Sequence, residues 1–149
     1  MWPCLVNYYA HGRHYIADPD FLAGTAVPDW LSVADRRVRA RSRMALPLVH
    51  DPDPVVAALA RGVVQHHADD VWFHQTRAFS DLSLQFTAAI RDRLAQDRGF
   101  RPSFLGHILV EILLDAALIE QAPDNLDGYY RAIQALDEHV VGRTVNRMA

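Results

Sequence analysis

A long apolar stretch, interrupted at regular intervals by ionisable residues, constrains this chain most. Between Phe104 and Ile119 the only ionisable side chains are His107, Glu111 and Asp115, each four residues from the last. Residues four apart lie one above another on a helix face, so the pattern predicts an apolar helix with one polar ladder. Charged groups are costly to bury unless they are paired or bound to a metal. We therefore expect this ladder to face a polar site inside the protein. The alternative is the solvated side of an amphipathic helix.

A second ladder with the same spacing consists of His66, Asp70 and His74. Asp69 lies beside it, and the apolar residue Trp72 follows. A His-x3-Asp pair on a helix is a compact platform for Zn, Mn or Fe. The same residues also suit a solvated helix face with hydrogen-bonding roles, and the spacing leaves both interpretations open.

Two further residues complete the candidate set. His11 lies in the first predicted helix, where a lone histidine is typical of a hydrogen-bonded core residue. Asp29 follows Pro28, where an aspartate is typical of a helix N-cap. Together with the two ladders, however, these residues offer imidazole and carboxylate groups from four helices or helix ends. Helical bundles build internal metal sites in this way, so we expect a divalent metal, either Mn, Fe, Zn or Mg.

The fold class follows from hydrophobic periodicity, because helical signals dominate and alternating strand patterns are absent. A chain of 149 residues has the usual size of a single domain. We therefore expect an all-α, single-domain bundle of six to seven helices, with Asp53 capping the fourth helix and Gly142 ending the last. The predicted helices are Leu5–Ile16, Phe21–Val27, Asp35–Leu46, Val55–Arg77, Leu82–Gln96, Pro102–Gln121 and Leu126–Val141.

Composition narrows the environment and the partners. The single cysteine, Cys4, excludes an internal disulfide, and the first residues do not resemble a signal peptide. The most apolar run is interrupted by charged residues, so we expect no membrane span and a cytoplasmic protein. A net charge of −3 argues against a nucleic-acid partner. One arginine cluster is predicted to be a solvated helix face; the alternative is a docking site for phosphate or for an acidic partner protein. Its residues are Arg36, Arg37, Arg39, Arg41 and Arg43.

Five short motifs follow one another in a recognisable order over most of the chain. They are Asn7-x3-His11, Leu22-x-Gly24-x4-Asp29-Trp30, His66-x3-Asp70-x2-Phe73, Glu111-x2-Leu114 and Pro123-x2-Leu126-x2-Tyr129. This order resembles the acyl-carrier-protein phosphodiesterases. That family is similar in turn to the HD-type metal phosphohydrolases, which are all-helical and bind Mn, Mg or Fe through His and Asp. The chain departs from the family at His74, where an acidic residue is usual, and at Glu111, where the family has Asp.

A weaker likeness connects the chain to the zinc-dependent phospholipase C group. The segment Ala26-Val27-Pro28-Asp29 is similar to the Ala-Pro-Asp motif of that group, and His66-His67 is similar to its histidine-rich helices.

The resemblance implies an HD-domain-like metal-dependent hydrolase, in which a metal-activated water attacks a small-molecule or protein-linked phosphoester. One or two cations are expected, with Asp70 as the central or bridging ligand. His74, Asp69 or Asp115 is expected to orient ligands or to act as general acid, and Arg13 or Arg77 to neutralise phosphate. The expected metal ligands are His11, Asp29, His66, Asp70, His107 and Glu111.

A function from a different class is a catalytically idle helical domain that docks a partner through its arginine-rich helix. The apolar content of the chain suits a monomer or a dimer equally, so the sequence does not specify the oligomeric state.

Overall fold

A computed structural model describes residues 7–35, 37–95, 99 and 101–149, and within these ranges the regular elements are all helices. The α-helices are α1 (Tyr8–Gly12), α2 (Pro19–Ala34), α3 (Ser42–Ala45), α4 (Pro54–His74), α5 (Arg77–Arg93), α6 (Pro102–Gln121), α7 (Pro123–Gln134) and α8 (Glu138–Met148). A short 3-10 helix follows α3 directly. The all-α prediction is confirmed. The described part of the chain holds eight α-helices, however, where six to seven were expected.

Helix α2 runs through the proline that was expected to end it. Pro28 lies inside the helix, which continues to Ala34, so the predicted stop at Val27 is wrong. A proline inside a helix costs about 3 kcal/mol. Burial of the whole segment from Leu22 to Pro28 offsets that cost. Asp29 therefore lies within α2 and does not cap the next turn.

The arginine-rich segment is not the predicted helix. Residues 37–41 lie outside any helix, and only Ser42–Ala45 is α-helical. The Asp35 side chain accepts the backbone N–H and the guanidinium N–H groups of Arg37, at 2.9 to 3.1 Å. Such local hydrogen bonds compete with helix formation. Arg36, Cys4, Leu5 and Gln96 lie outside the described residues.

Two other boundaries differ from the sequence prediction because side-chain caps were overlooked. Thr76 caps α5 by accepting the backbone N–H of Phe79, so α5 begins at Arg77 and not at the predicted Leu82. Asp137 caps α8 and thereby divides the single helix predicted for Leu126–Val141. By contrast, the expected cap of α4 by Asp53 is present, with Pro54 in the first turn.

The crossing of α2 and α4 is a close helix contact. A Cβ atom on Gly24 would lie 2.8 Å from Gly62 Cα and would overlap the Leu59 carbonyl, so this approach requires glycine. Around the crossing, buried apolar side chains form the main core: Ala23, Val27, Leu59, Val63 and Met148. The crossing brings Asp29 of α2 beside α4, where the His66 ladder lies.

Helix α6 pairs with α5, and Gly106 permits close contact with the backbone of Ser83 and Thr87. Among the described residues, one helix is both long enough and apolar enough to cross a membrane, by length and composition only. This helix is α6, and its best window has a mean hydropathy of 1.7. The expectation of no membrane span rested on the three ionisable residues that interrupt this run, and the helix meets the length and composition criteria in spite of them. Core helices of soluble proteins meet them as well, so one such helix is weak evidence for a membrane.

Candidate metal centre

Four ionisable side chains from α1, α2 and α4 converge, and we call them the first group: His11, Asp29, His66 and Asp70. Asp70 lies between the two imidazoles, with Oδ1 at 3.4 Å from His11 Nε2 and Oδ2 at 3.4 Å from His66 Nε2. His66 Nε2 also lies 4.0 Å from Asp29 Oδ1. One possible ligand atom from each of His11, Asp29 and His66 lies within 4.8 Å of the others. The first group therefore brings two imidazole nitrogens and Asp29 close together, and the Asp70 carboxylate adjoins both imidazoles.

Each imidazole of the first group is held through its other nitrogen. His66 Nδ1 donates to the Thr25 carbonyl oxygen at 2.8 Å, and His11 Nδ1 donates to Asp69 Oδ2 at 3.4 Å. Asp69 is itself fixed by Gln65, whose amide donates to Oδ1 at 2.7 Å. With Nδ1 engaged as the donor, Nε2 of each ring is the nitrogen that faces the carboxylates, either with a proton between them or with a cation in the place of that proton. Metal-ligating histidines are usually oriented by such partners.

Burial leaves acceptors of the first group without donors. His11 and His66 are only 6% and 3% exposed. His11 Nε2 and Asp29 Oδ2 are inaccessible and have no hydrogen-bond partner among the described residues. Such an unsatisfied polar group costs about 1–3 kcal/mol. A cation between these atoms satisfies them together, so the donor set fits a bound metal.

Burial and the neighbouring charges shift the pKa values of three side chains in the first group. Burial raises the pKa of Asp29, against the opposing effect of His66 and His11. Burial also acts to raise the pKa of Asp70, but hydrogen bonding and charge from the two imidazoles outweigh it and lower that pKa. For His11, burial acts to lower the pKa, whereas the carboxylates, led by Asp70, raise it overall. Asp70 is therefore an anion at neutral pH, the form that binds cations.

A second group joins α4 to α6 and consists of His74, His107 and Glu111. Glu111 Oε1 lies 3.1 Å from His74 Nε2 and 2.9 Å from His107 Nε2, and the two imidazole rings have centroids 4.7 Å apart. Glu111 is a buried carboxylate, 9% exposed. Possible ligand atoms of all three residues lie within 4.8 Å of one another. The structure thus divides the expected ligand set into two groups. His74 was expected to orient ligands or to donate a proton, and it lies instead among the possible ligands of the second group.

Both groups border one cavity of about 570 Å³. Asp29 and Asp70 of the first group and all three residues of the second group line it. Its volume lies within the roughly 300–1,000 Å³ of ordinary ligand sites. The start of α6 forms another part of its wall, through Arg101, Ser103 and Phe104. A ligand in this cavity can contact both groups.

The third residue of the α6 ladder has a different neighbourhood. Asp115 accepts the backbone N–H groups of Tyr9 and Ala10, at 3.3 and 2.9 Å, at the start of α1. Burial raises the pKa of Asp115 to about 6, although the two N–H groups act to lower it. Asp115 therefore anchors the short helix that carries His11, and it acts on the first group through the backbone.

The arginines expected to neutralise phosphate lie elsewhere. Arg77 pairs with Asp81 on the surface of α5, at 3.2 Å. Arg13 borders a separate cavity of about 380 Å³, on the Asp69 side of His11. Sequence reasoning missed Arg101, which lines the larger cavity. Its position directly before the helix of the polar ladder is the signal that could have indicated it.

Comparisons of the chain with protein-family models, with curated proteins and with solved structures give no match. The resemblance to the acyl-carrier-protein phosphodiesterases therefore stays a prediction drawn from the motifs. What supports a function is the geometry of the two groups and the cavity between them.

Proposed function

We propose that the protein is a metal-dependent hydrolase of the HD-domain-like type that cleaves a phosphodiester in the cytoplasm. One observation carries this proposal: His11 and His66 are both fixed through Nδ1, so that both Nε2 atoms face the carboxylate of Asp70. Without a cation, only a proton between each Nε2 atom and Asp70 can relieve the contact between their lone pairs. With a cation, the same atoms are ligands in the required protonation state.

The residues of the two groups would hold one cation each. His11, Asp29 and His66 form the first set, with Asp70 adjoining both of its imidazoles, and the second group supplies two imidazoles and a carboxylate. Mixed nitrogen and oxygen donors suit Zn, Mn or Fe better than Mg, which prefers oxygen. When bound, such cations lower the pKa of a water ligand and polarise a phosphoryl oxygen.

The charges of the cavity make an anionic substrate dependent on these cations. Asp29, Asp70 and Glu111 place three carboxylates on its wall, and alone they repel a phosphodiester. Two divalent cations more than balance these charges, so the loaded cavity attracts an anion. Asp70 contacts both imidazoles of the first group and is placed to fix the position of the first cation. Asp69 keeps His11 in the tautomer that a ligand needs.

Metal content tests the proposal before any activity is screened. The protein is produced in metal-supplemented medium as wild type, as Asp70→Ala and as the surface control Asp81→Ala, and each is analysed for transition metals. We expect one to two bound ions in wild type and control, and clear loss in Asp70→Ala with unchanged helical circular dichroism. Equal metal content in wild type and Asp70→Ala refutes the ligand assignment. Absence of metal in wild type favours the non-catalytic binding domain.

Substrate class is tested next, on the metal-loaded protein. Bis(p-nitrophenyl) phosphate is compared with p-nitrophenyl acetate, which has the same leaving group but no phosphorus. We expect turnover of the phosphodiester, sensitive to chelator and absent in Asp70→Ala. Turnover of the acetate alone contradicts a phosphodiesterase.

A further inference from the structure

Arg101 differs from the other described residues that line the larger cavity. It is the one among them with a permanent positive charge, and it makes no ion pair with any residue that the structure describes. Arg37, Arg77 and Arg147, in contrast, each pair with an aspartate. An unpaired guanidinium on the wall of a cavity is available to an anion, which it binds in a bidentate manner.

The start of α6 adds polar groups beside Arg101. The helix has no side-chain cap, and the Arg101 carbonyl accepts the N–H of Leu105 at 3.0 Å. By helix geometry, the N–H groups of Ser103 and Phe104 have no acceptor within the helix. These residues line the same cavity, and Ser103 also carries a hydroxyl group. The guanidinium is the principal charge, and the first turn of α6 reinforces it.

This cluster is separated from the second group along α6. Arg101 precedes His107 by six residues, which corresponds to about 9 Å along the helix axis at 1.5 Å per residue. A phosphoryl group at the candidate cations and an anion at the start of α6 can therefore occupy different places. The cavity of about 570 Å³ has room for a ligand that reaches both.

We propose that Arg101, with Ser103 and the first turn of α6, binds a second anionic group of the substrate. The proposal rests on the proposed phosphodiesterase function and specifies its substrate class. That class is a phosphodiester that carries a further phosphate or carboxylate several bonds from the scissile phosphorus. Arg101 contributes to substrate specificity, whereas the first and second groups, with their cations, would bind the scissile phosphate.

A binding experiment separates this role from catalysis. Two non-hydrolysable probes, 4-phosphonobutyric acid and butylphosphonic acid, share a phosphonate and an alkyl chain but differ in the terminal carboxylate. Their affinities are measured by calorimetry on the Mn²⁺-loaded full chain, as wild type, as Arg101→Gln and as the control Arg93→Gln. Arg93 is an exposed residue at the end of α5 that does not line the cavity.

We expect wild type and Arg93→Gln to bind 4-phosphonobutyric acid about tenfold more tightly than butylphosphonic acid, which is the difference that one charge-assisted contact would give. Arg101→Gln is expected to abolish this preference and to leave the affinity for butylphosphonic acid unchanged. Equal affinities in wild type overturn the proposal, and so does an equal loss for both probes in Arg101→Gln, which places Arg101 at the phosphonate. Hydrolysis of bis(p-nitrophenyl) phosphate by the same preparations shows whether the proposed function survives such a failure. Absence of bound Mn²⁺ in wild type contradicts both.

Discussion

At the scale of single residues, the first group depends on hydrogen bonds that aim the imidazoles. Asp69 contacts His11 through Nδ1, not through the Nε2 atom that would bind the proposed cation, and it is itself fixed by Gln65. Removal of such a partner usually lowers metal affinity by about 10–100-fold. We therefore expect Asp69→Ala to weaken metal binding to this extent, measured by competition with a chromogenic chelator. Asp81→Ala, which removes a surface carboxylate from α5, is expected to keep the wild-type affinity. Equal affinities in all three proteins would contradict the role of Asp69.

A second prediction at this scale concerns Asp115 and pH. Burial raises the pKa of Asp115 to about 6, whereas an aspartate in an unfolded chain titrates near 4. Between these values the native protein holds a proton that the unfolded chain has lost, so stability falls as the pH rises. The contribution is complete below about pH 4 and has been lost above about pH 6.

Asp115→Asn isolates this effect because the amide retains an acceptor oxygen for the N–H of Ala10. Urea unfolding is measured with chelator present at pH 4, 5, 6 and 7. We expect the stability of wild type relative to Asp115→Asn to decrease over this range. A difference that is constant or increases with pH would show that the carboxyl is not protonated in the native state at mildly acidic pH.

The sequence indicated the residue types of the site but not how they are paired. Spacing alone placed His66 with Asp70 and His107 with Glu111, because one helix turn determines these contacts. It did not show that His74 joins Glu111, since that contact requires the relative position of two helices. The hydrogen bond from His66 to the Thr25 carbonyl oxygen could not be predicted either, because every residue has a backbone carbonyl and the sequence does not show which one is the acceptor.

At the scale of helices, the crossing of α2 and α4 positions Asp29 against His66. A methyl group on Gly24 would overlap the backbone of α4 near Leu59 and Gly62. Overpacking in a tight core costs about 1–3 kcal/mol. We expect Gly24→Ala to lower the free energy of unfolding by at least this amount and to weaken metal binding, because the helices must separate.

Gly142 supplies the matched control for this substitution. It lies inside α8, and an added Cβ atom would meet nothing within 4 Å. An alanine there gains about 0.5–1 kcal/mol because it restricts the unfolded backbone. Chemical denaturation should therefore show opposite signs for Gly24→Ala and Gly142→Ala. Equal effects would show that glycine at the crossing is not required by close packing.

Helix boundaries were predictable where a local interaction decides them. The cap of α4 by Asp53 followed from Asp-Pro at the start of an apolar segment, and it is present. Pro28 and Gly142 were expected to end helices, but both lie inside helices. Tertiary packing and neighbouring caps outweigh the intrinsic propensities of these two residues. The arginine-rich segment does not form the predicted helix, because the side chain of Asp35 accepts a hydrogen bond from the backbone N–H of Arg37.

At the scale of the whole molecule, the two groups connect different parts of the fold. The first group joins α1, α2 and α4, and two of these helices, α2 and α4, also share the buried core around the Gly24 crossing. The second group joins α4 to α6, whose main packing partner is α5. Asp115 adds a polar connection between α6 and α1. The α5–α6 pair is attached to the remaining described helices through these polar contacts and through limited apolar packing, namely Phe79 on Phe73 and Leu118 and Ile119 against the cluster around Tyr129. A segment attached by few contacts opens more readily than a packed core.

A cation in the second group should strengthen that attachment. Opening α6 away from α4 would break the ligand set of His74, His107 and Glu111, so bound Mn²⁺ raises the free energy of local opening. We expect hydrogen exchange of α6 amides to slow on Mn²⁺ addition by more than that of α8, which carries no residue of either group. His107→Ala is expected to remove the protection of α6 while leaving that of α2 and α4 near the first group. Uniform slowing in all helices, or slowing of α6 that persists in His107→Ala, would show that the second group does not hold a cation between α4 and α6.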